Sequence, residues 1–109
     1  MAYDELLAGR LHKILGSRSD MEEKKMFGGL ALMLGGNMCC GIVDDRLMLR
    51  LGHDGAAAAL AEPHTSVMNF TGRASKTMIY LESAGIASDD ALTNWVNKAV
   101  AFAETLPPK

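Results

Sequence analysis

Apolar residues recur along this chain with two periods, one near 3.6 and one of about 2, and the switches between them divide it into elements. Leu7, Leu11, Ile14 and Leu15 fall on one helical face with Leu6 beside them, which predicts a first helix from Tyr3 to Leu15. Gly16 and Ser17 stop it. The segment Lys24 to Leu51 reads as three strands: Gly28 to Leu34, Met38 to Val43, and Leu47 to Leu51. Gly35-Gly36 is a hairpin signal, since glycine takes positive φ at no steric cost, and Asp44-Asp45 closes the next turn. In the third strand Leu47, Leu49 and Leu51 share one face, and Met48 and Arg50 share the other. Strands joined by such tight turns are antiparallel.

Asp54 is placed to cap a short helix running through Ala61, which Glu62-Pro63 ends. Two more strands follow, Ser66 to Phe70 and Thr77 to Glu82, joined by the polar loop Thr71 to Lys76. In the last helix Ser88 is the cap, and Asp89 and Asp90 suit the positive end of the helix dipole. Leu92, Trp95, Val96, Ala99, Val100 and Ala103 form its buried stripe, with Trp95 expected in the core, and Pro107-Pro108 end it. The order is α-β-β-β-α-β-β-α. It predicts a single α+β domain over residues 1–109, a two-layer α/β sandwich with an antiparallel five-stranded sheet.

Composition narrows the function. The chain has 109 residues, enough for one core, and is 49% hydrophobic and 22% charged, which argues against disorder. A net charge of −2 lacks the basic excess of proteins that hold duplex DNA by its phosphates. No apolar run approaches the ~20 residues that span a bilayer, and the charged N-terminal stretch has no leader character, so no membrane association and a cytoplasmic location are expected. The two cysteines, Cys39 and Cys40, are adjacent and fit a reducing compartment as free thiols. In a regular strand they would face opposite sides, one more buried than the other.

Candidate chemistry is sparse. His12, His53 and His64 are scattered without metal-ligand spacing, and Cys39-Cys40 has no second ligand pair, so neither metal nor cofactor is expected. Gly28-Gly29 and Gly35-Gly36 do not open a helix as phosphate-binding loops do. Gly28-Gly29 instead suits the close approach of another backbone. The serines lack a nucleophile-elbow context, so no catalytic residue is nominated and the chain is expected not to be an enzyme. Six of the eight methionines fall in or beside strands, where they serve as core filler or as an adaptable contact surface. Arg50, opposite the three leucines, and Arg73 and Lys76, in the glycine-containing loop, are candidates for a small anion- or carboxylate-binding patch.

Several stretches together carry a likeness to a known family: Met26-Phe27-Gly28-Gly29-Leu30, Gly36-Asn37-Met38, Asp45 to Leu51, and Gly72-Arg73 with Lys76. Asp89-Asp90-Ala91-Leu92, Trp95-Val96, Ala99 and Leu106 to Lys109 complete the set. In this order, over nearly the whole chain, they resemble the N-terminal domain of the TfoX/Sxy competence-regulator family. No single piece is specific; the ordered set is. The resemblance implies an α-β-β-β-α-β-β-α fold and the setting of bacterial regulators of DNA uptake, which act as transcriptional co-regulators beside a DNA-binding activator. Two-domain members carry a further C-terminal domain, which is not expected here after Pro107-Pro108-Lys109. Ala74-Ser75 departs from the proline and methionine that the family tends to place after Gly-Arg.

The expected function is therefore a non-enzymatic regulatory or interaction module with a protein partner. The candidate contact residues are Phe27, Gly28, Gly29, Arg50, Gly72, Arg73 and Lys76. Two alternatives stay open. A nucleic-acid-binding accessory protein would need exposed aromatics beside basic residues, and aromatic content is only 6%. An uncharacterised enzyme would need a pocket with converging polar groups. The unpaired edges of a sheet also leave a homodimer open.

Overall fold

Asp4 starts the first helix, α1 (Glu5–Leu15), by accepting hydrogen bonds on Oδ1 from the backbone N–H of Leu6 at 2.9 Å and Leu7 at 3.3 Å. Tyr3, the expected start, lies outside the described residues: the computed structural model describes residues 4–26, 29–67 and 76–107. Leu7, Leu11 and Leu15 are buried one turn apart, while Leu6 points away at 82% exposure.

The sheet has six strands, one more than the pattern predicts: β1 (Met21–Met26), β2 (Gly29–Leu34), β3 (Asn37–Val43), β4 (Arg46–Arg50), β5 (Thr65–Val67) and β6 (Met78–Leu81). They lie in the order β1-β2-β3-β4-β6-β5, every neighbouring pair antiparallel. The additional strand is β1. Its sequence Met-Glu-Glu-Lys-Lys-Met has no apolar alternation, because it is an edge strand whose Glu22, Glu23, Lys24 and Lys25 are all exposed. Charges on an edge discourage a further strand from pairing there. Gly35 and Gly36 both take positive φ, 58° and 83°, as the β2–β3 hairpin requires. Asp44 takes φ 55° in the β3–β4 turn, and its carbonyl accepts from the Asp4 N–H at 2.7 Å.

The second helix, α2 (Gly52–Ala59), begins before the expected cap. Asp54 lies in its first turn, and the N-cap is Leu51, without a side-chain bond. The backbone explains the early start. The N–H groups of Leu51 and Gly52 both donate to the Thr77 carbonyl, at 2.9 and 3.2 Å, holding the chain against the start of β6. Gly52, at φ +78°, then turns it sharply into the helix. Predicted bounds shift similarly in the last two strands: Thr65–Val67 and Met78–Leu81 replace Ser66 to Phe70 and Thr77 to Glu82, with 68–70 outside the described residues.

After a single 3₁₀ turn (Ser83–Ile86), the third helix, α3 (Asp89–Ala103), is capped by Ser88, whose Oγ accepts from the Ala91 N–H at 3.1 Å. It ends at Ala103, ahead of Pro107, by backbone turns through Leu106. The tail is then pinned where the Asn37 amide donates to the Pro107 carbonyl at 2.8 Å. Trp95 is half-buried at the margin of the core rather than inside it, and the Lys98 ammonium lies 4.5 Å from its ring centre.

All three helices contribute to one core on one face of the sheet. Leu11, Leu32, Ile42, Leu47, Leu49, Ile79, Leu81 and Val96 are fully buried there. Each large side chain removed from water contributes roughly 1.5–3 kcal/mol. Arg10 ties α1 to the start of α3, bonding the Ile86 carbonyl at 2.7 Å and Asp89 at 3.1 Å.

Candidate sheet-face contact site

Alternation along the strands puts a second set of side chains on the face turned away from the helices. Met48 of β4 lies opposite Tyr80 of β6, and Gly41 of β3 lies opposite Met48. Gly41 is what lets methionines gather here. A Cβ at this position would sit 2.7 Å from the Met48 methyl and 3.4 Å from the Met38 methyl, so both methyls rest over the glycine. Met48 is fully buried and Tyr80 nearly so, with Met38, Val43 and Met78 half-buried around them. The Arg46 guanidinium covers the Tyr80 ring at 4.1 Å from its centre, a cation–π contact. The face is thus a small apolar cluster rich in methionine, with an arginine at its rim.

The candidate residues read from the sequence are distributed as follows. Arg50 ends β4 opposite Met78, and its guanidinium lies 5.7 Å from the ring centre of Phe102 on α3. Lys76 is exposed, just before the Thr77 carbonyl that holds Leu51 and Gly52, so the fold brings Lys76 and Arg50 to the same end of β4. Gly29 is buried in β2, where a Cβ would run into the Ile42 carbonyl oxygen. That is the close backbone approach expected of the glycine pair. Phe27, Gly28, Gly72 and Arg73 lie outside the described residues. The pattern missed Arg46 and Tyr80. Arg46 shares the alternation that marks Met48 and Arg50, but Tyr80 reaches it only because β6 pairs with β4.

A second cluster lies where the start of β1 meets the end of α3. Arg18 binds Asp20 through two nitrogens, at 3.0 and 3.1 Å, and Glu104 at 3.3 Å, joining the start of β1 to the end of α3. The guanidinium holds the Asp20 carboxyl below its usual range, and the carboxylates in turn raise Arg18. These three side chains border a groove of about 270 Å³, with Asn37 and Leu106.

Beneath this cluster the two cysteines depart from expectation. They do not face opposite sides; both are fully buried in the helix-side core. A β-bulge is the cause. Leu32 pairs with Cys40 and Met33 with Met38, which leaves Cys39 without an opposite residue. The Cys40 thiol bonds the Cys39 sulfur, which draws the Cys39 thiol below its ordinary value. The same contact and full burial push Cys40 well up. The charges of Arg18, Asp20 and Glu104 also act on Cys39.

Among the described residues, no group of three or more His, Cys, Asp or Glu side chains gathers to hold a metal. No helix among them is long and apolar enough to cross a membrane. A groove of about 410 Å³ between α2 and α3 is lined by Leu51, Gly55, Ala58 and Ala59, with Glu62 and Lys98 at its margin.

Comparison with known proteins adds one match. The family model described as TfoX N-terminal domain matches residues 13–103, most of the chain. No curated protein and no solved structure matches it.

Proposed function

This chain belongs to the TfoX N-terminal domain family, and from that premise we propose that it is a non-catalytic regulatory module that acts on transcription by binding a protein partner. The observation that carries this reading is the methionine cluster on the face turned away from the helices. Met38, Val43 and Met78 are half-buried around Met48 and Tyr80, where a small domain with one helical layer needs no second core. Methionine side chains adapt to a partner's shape because they are unbranched and polarizable. Arg46 over Tyr80 gives this face a cation, and a partner surface with carboxylates beside apolar groups complements it.

The test is affinity capture of the tagged protein from lysate of its own source, with and without nuclease, beside an Arg46→Ala/Met48→Ala variant checked for folding by circular dichroism. The expected result is a protein recovered in both nuclease arms from the wild type and at least tenfold depleted with the variant. Recovery that vanishes with nuclease would move the function to nucleic-acid binding. Equal recovery by a folded variant would refute this face as the contact surface.

A further inference from the structure

The first helix carries a face that the fold leaves unused. Leu7, Leu11 and Leu15 of α1 are buried in the core. On its flanks Arg10 is held by Asp89 and the Ile86 carbonyl, and His12 is paired with Glu23 of β1. Between those flanks Glu5, Leu6, Gly9 and Lys13 are all exposed. Leu6 is a large apolar side chain at 82% exposure. Gly9 is a poor helix former in mid-helix, and the fold gives no reason for it, since nothing lies within 4 Å of a Cβ there. Glu5 and Lys13 have no ion-pair partner among the described residues. These four, with Arg10, border a shallow groove of about 430 Å³ whose lining is almost wholly apolar. A hollow of about 190 Å³ adjoins it, bordered by Arg10, Lys13, Ile14 and Leu92.

We propose that this face docks a second copy of the chain, with α1 lying antiparallel against α1 about a two-fold axis at Gly9. The charges are self-complementary in that arrangement. Residues equally far from Gly9 on either side come level with each other, so Glu5 meets the partner's Lys13 and Lys13 meets the partner's Glu5, each about 6 Å along the helix from the axis. A parallel pair would instead set Glu5 against Glu5 and Lys13 against Lys13. Glycine at the crossing point lets the two backbones approach closely.

Leu6 supplies the apolar contact. A two-fold axis keeps each flank of the helix facing the same flank of its partner, and Leu6 lies on the flank of Arg10 and Lys13. It therefore comes level with the partner's His12 and over the hollow bordered by the partner's Lys13 and Ile14. One short helix offers less than the roughly 800 Å² per partner of a standard complex, so the association is weak and reversible. Since α1 and the methionine cluster lie on opposite sides of the sheet, pairing leaves that cluster open on both copies. The inference therefore stands or falls apart from the sheet-face reading.

The test is sedimentation velocity on the full chain from micromolar to near-millimolar concentration, with each variant checked for folding by circular dichroism. The expected result is reversible dimerisation, weakened at least tenfold by Glu5→Lys and by Lys13→Glu. An equimolar mixture of these two variants should regain it, because in a mixed pair both contacts again join opposite charges. Gly9→Gln, whose side chain meets open space in the single chain, should keep the fold and lose the dimer. A chain monomeric throughout the range, a dimer indifferent to all three substitutions, or a mixture no better associated than either variant alone would overturn the proposal.

Discussion

Replacing Gly52 by alanine tests the junction that places Arg50, α2 and the end of α3 together. Two costs follow from the structure. Gly52 sits at φ +78°, where an alanine pays roughly 1–2 kcal/mol for its Cβ. The new Cβ would also lie 2.5, 2.8 and 3.2 Å from three carbons of the Phe102 ring. Overpacking costs about 1–3 kcal/mol, and the lower end applies because the ring is only half-buried and has room to move. The expected loss is thus about 2–3 kcal/mol.

Urea denaturation followed by circular dichroism measures the loss, with an unchanged slope showing that the two-state transition is intact. A double-mutant cycle separates the two terms. In a Phe102→Ala background the ring contact is gone, so Gly52→Ala should cost about 1 kcal/mol less than in the wild type. Gly9→Ala is the matched control. Gly9 lies inside α1 with nothing within 4 Å of a new Cβ, so alanine there should stabilise by roughly 1 kcal/mol. A Gly52→Ala protein within about 0.5 kcal/mol of wild type would refute the left-handed start of α2. A cost independent of Phe102 would refute the contact between the two.

Two further outcomes follow from the Arg18 cluster and the pinned tail. Asn37→Ala removes the side-chain bond to the Pro107 carbonyl, so stability should fall by about 1 kcal/mol and amide hydrogen exchange at 104–106 should quicken. Asp20, whose carboxyl is held below its usual value by Arg18, contributes stability that is present above the unfolded-state value and lost as pH falls through the depressed folded one. Asp20→Asn should therefore flatten the acid limb of a stability-against-pH curve below about pH 4 and leave its shape near neutrality unchanged. Because the pair is exposed, the effect should be small and should shrink further with added salt.

How legible these features were depends on whether neighbours in sequence or neighbours in space define them. The α3 stripe from Leu92 to Ala103, its Ser88 cap and the Gly35-Gly36 turn follow from local spacing and local φ preference, and the structure keeps them. β1 does not follow, since Glu22 to Lys25 owe their strand to the backbone ladder offered by Gly29–Leu34 and not to any burial of their own. Tyr80 joins Met48 only through the crossing that inserts β6 between β4 and β5, an arrangement that alternation within one strand does not encode.

The bulge in β3 joins these cases. Read as an unbroken strand, Met38 to Val43 puts Met38, Cys40 and Ile42 on one face, and Asn37 would then share the other face with Cys39, Gly41 and Val43. The additional residue shifts the alternation on one side of it. Met38 moves out of the core set to rest over Gly41 beside Met48, and Asn37 moves to where it meets Pro107. Cys39 comes to join Cys40. The methionine cluster, the pinned tail and the burial of both cysteines in one core are therefore three consequences of one backbone irregularity. Its position is set by the count of residues on β2 facing it, so no reading of β3 alone could place any of the three.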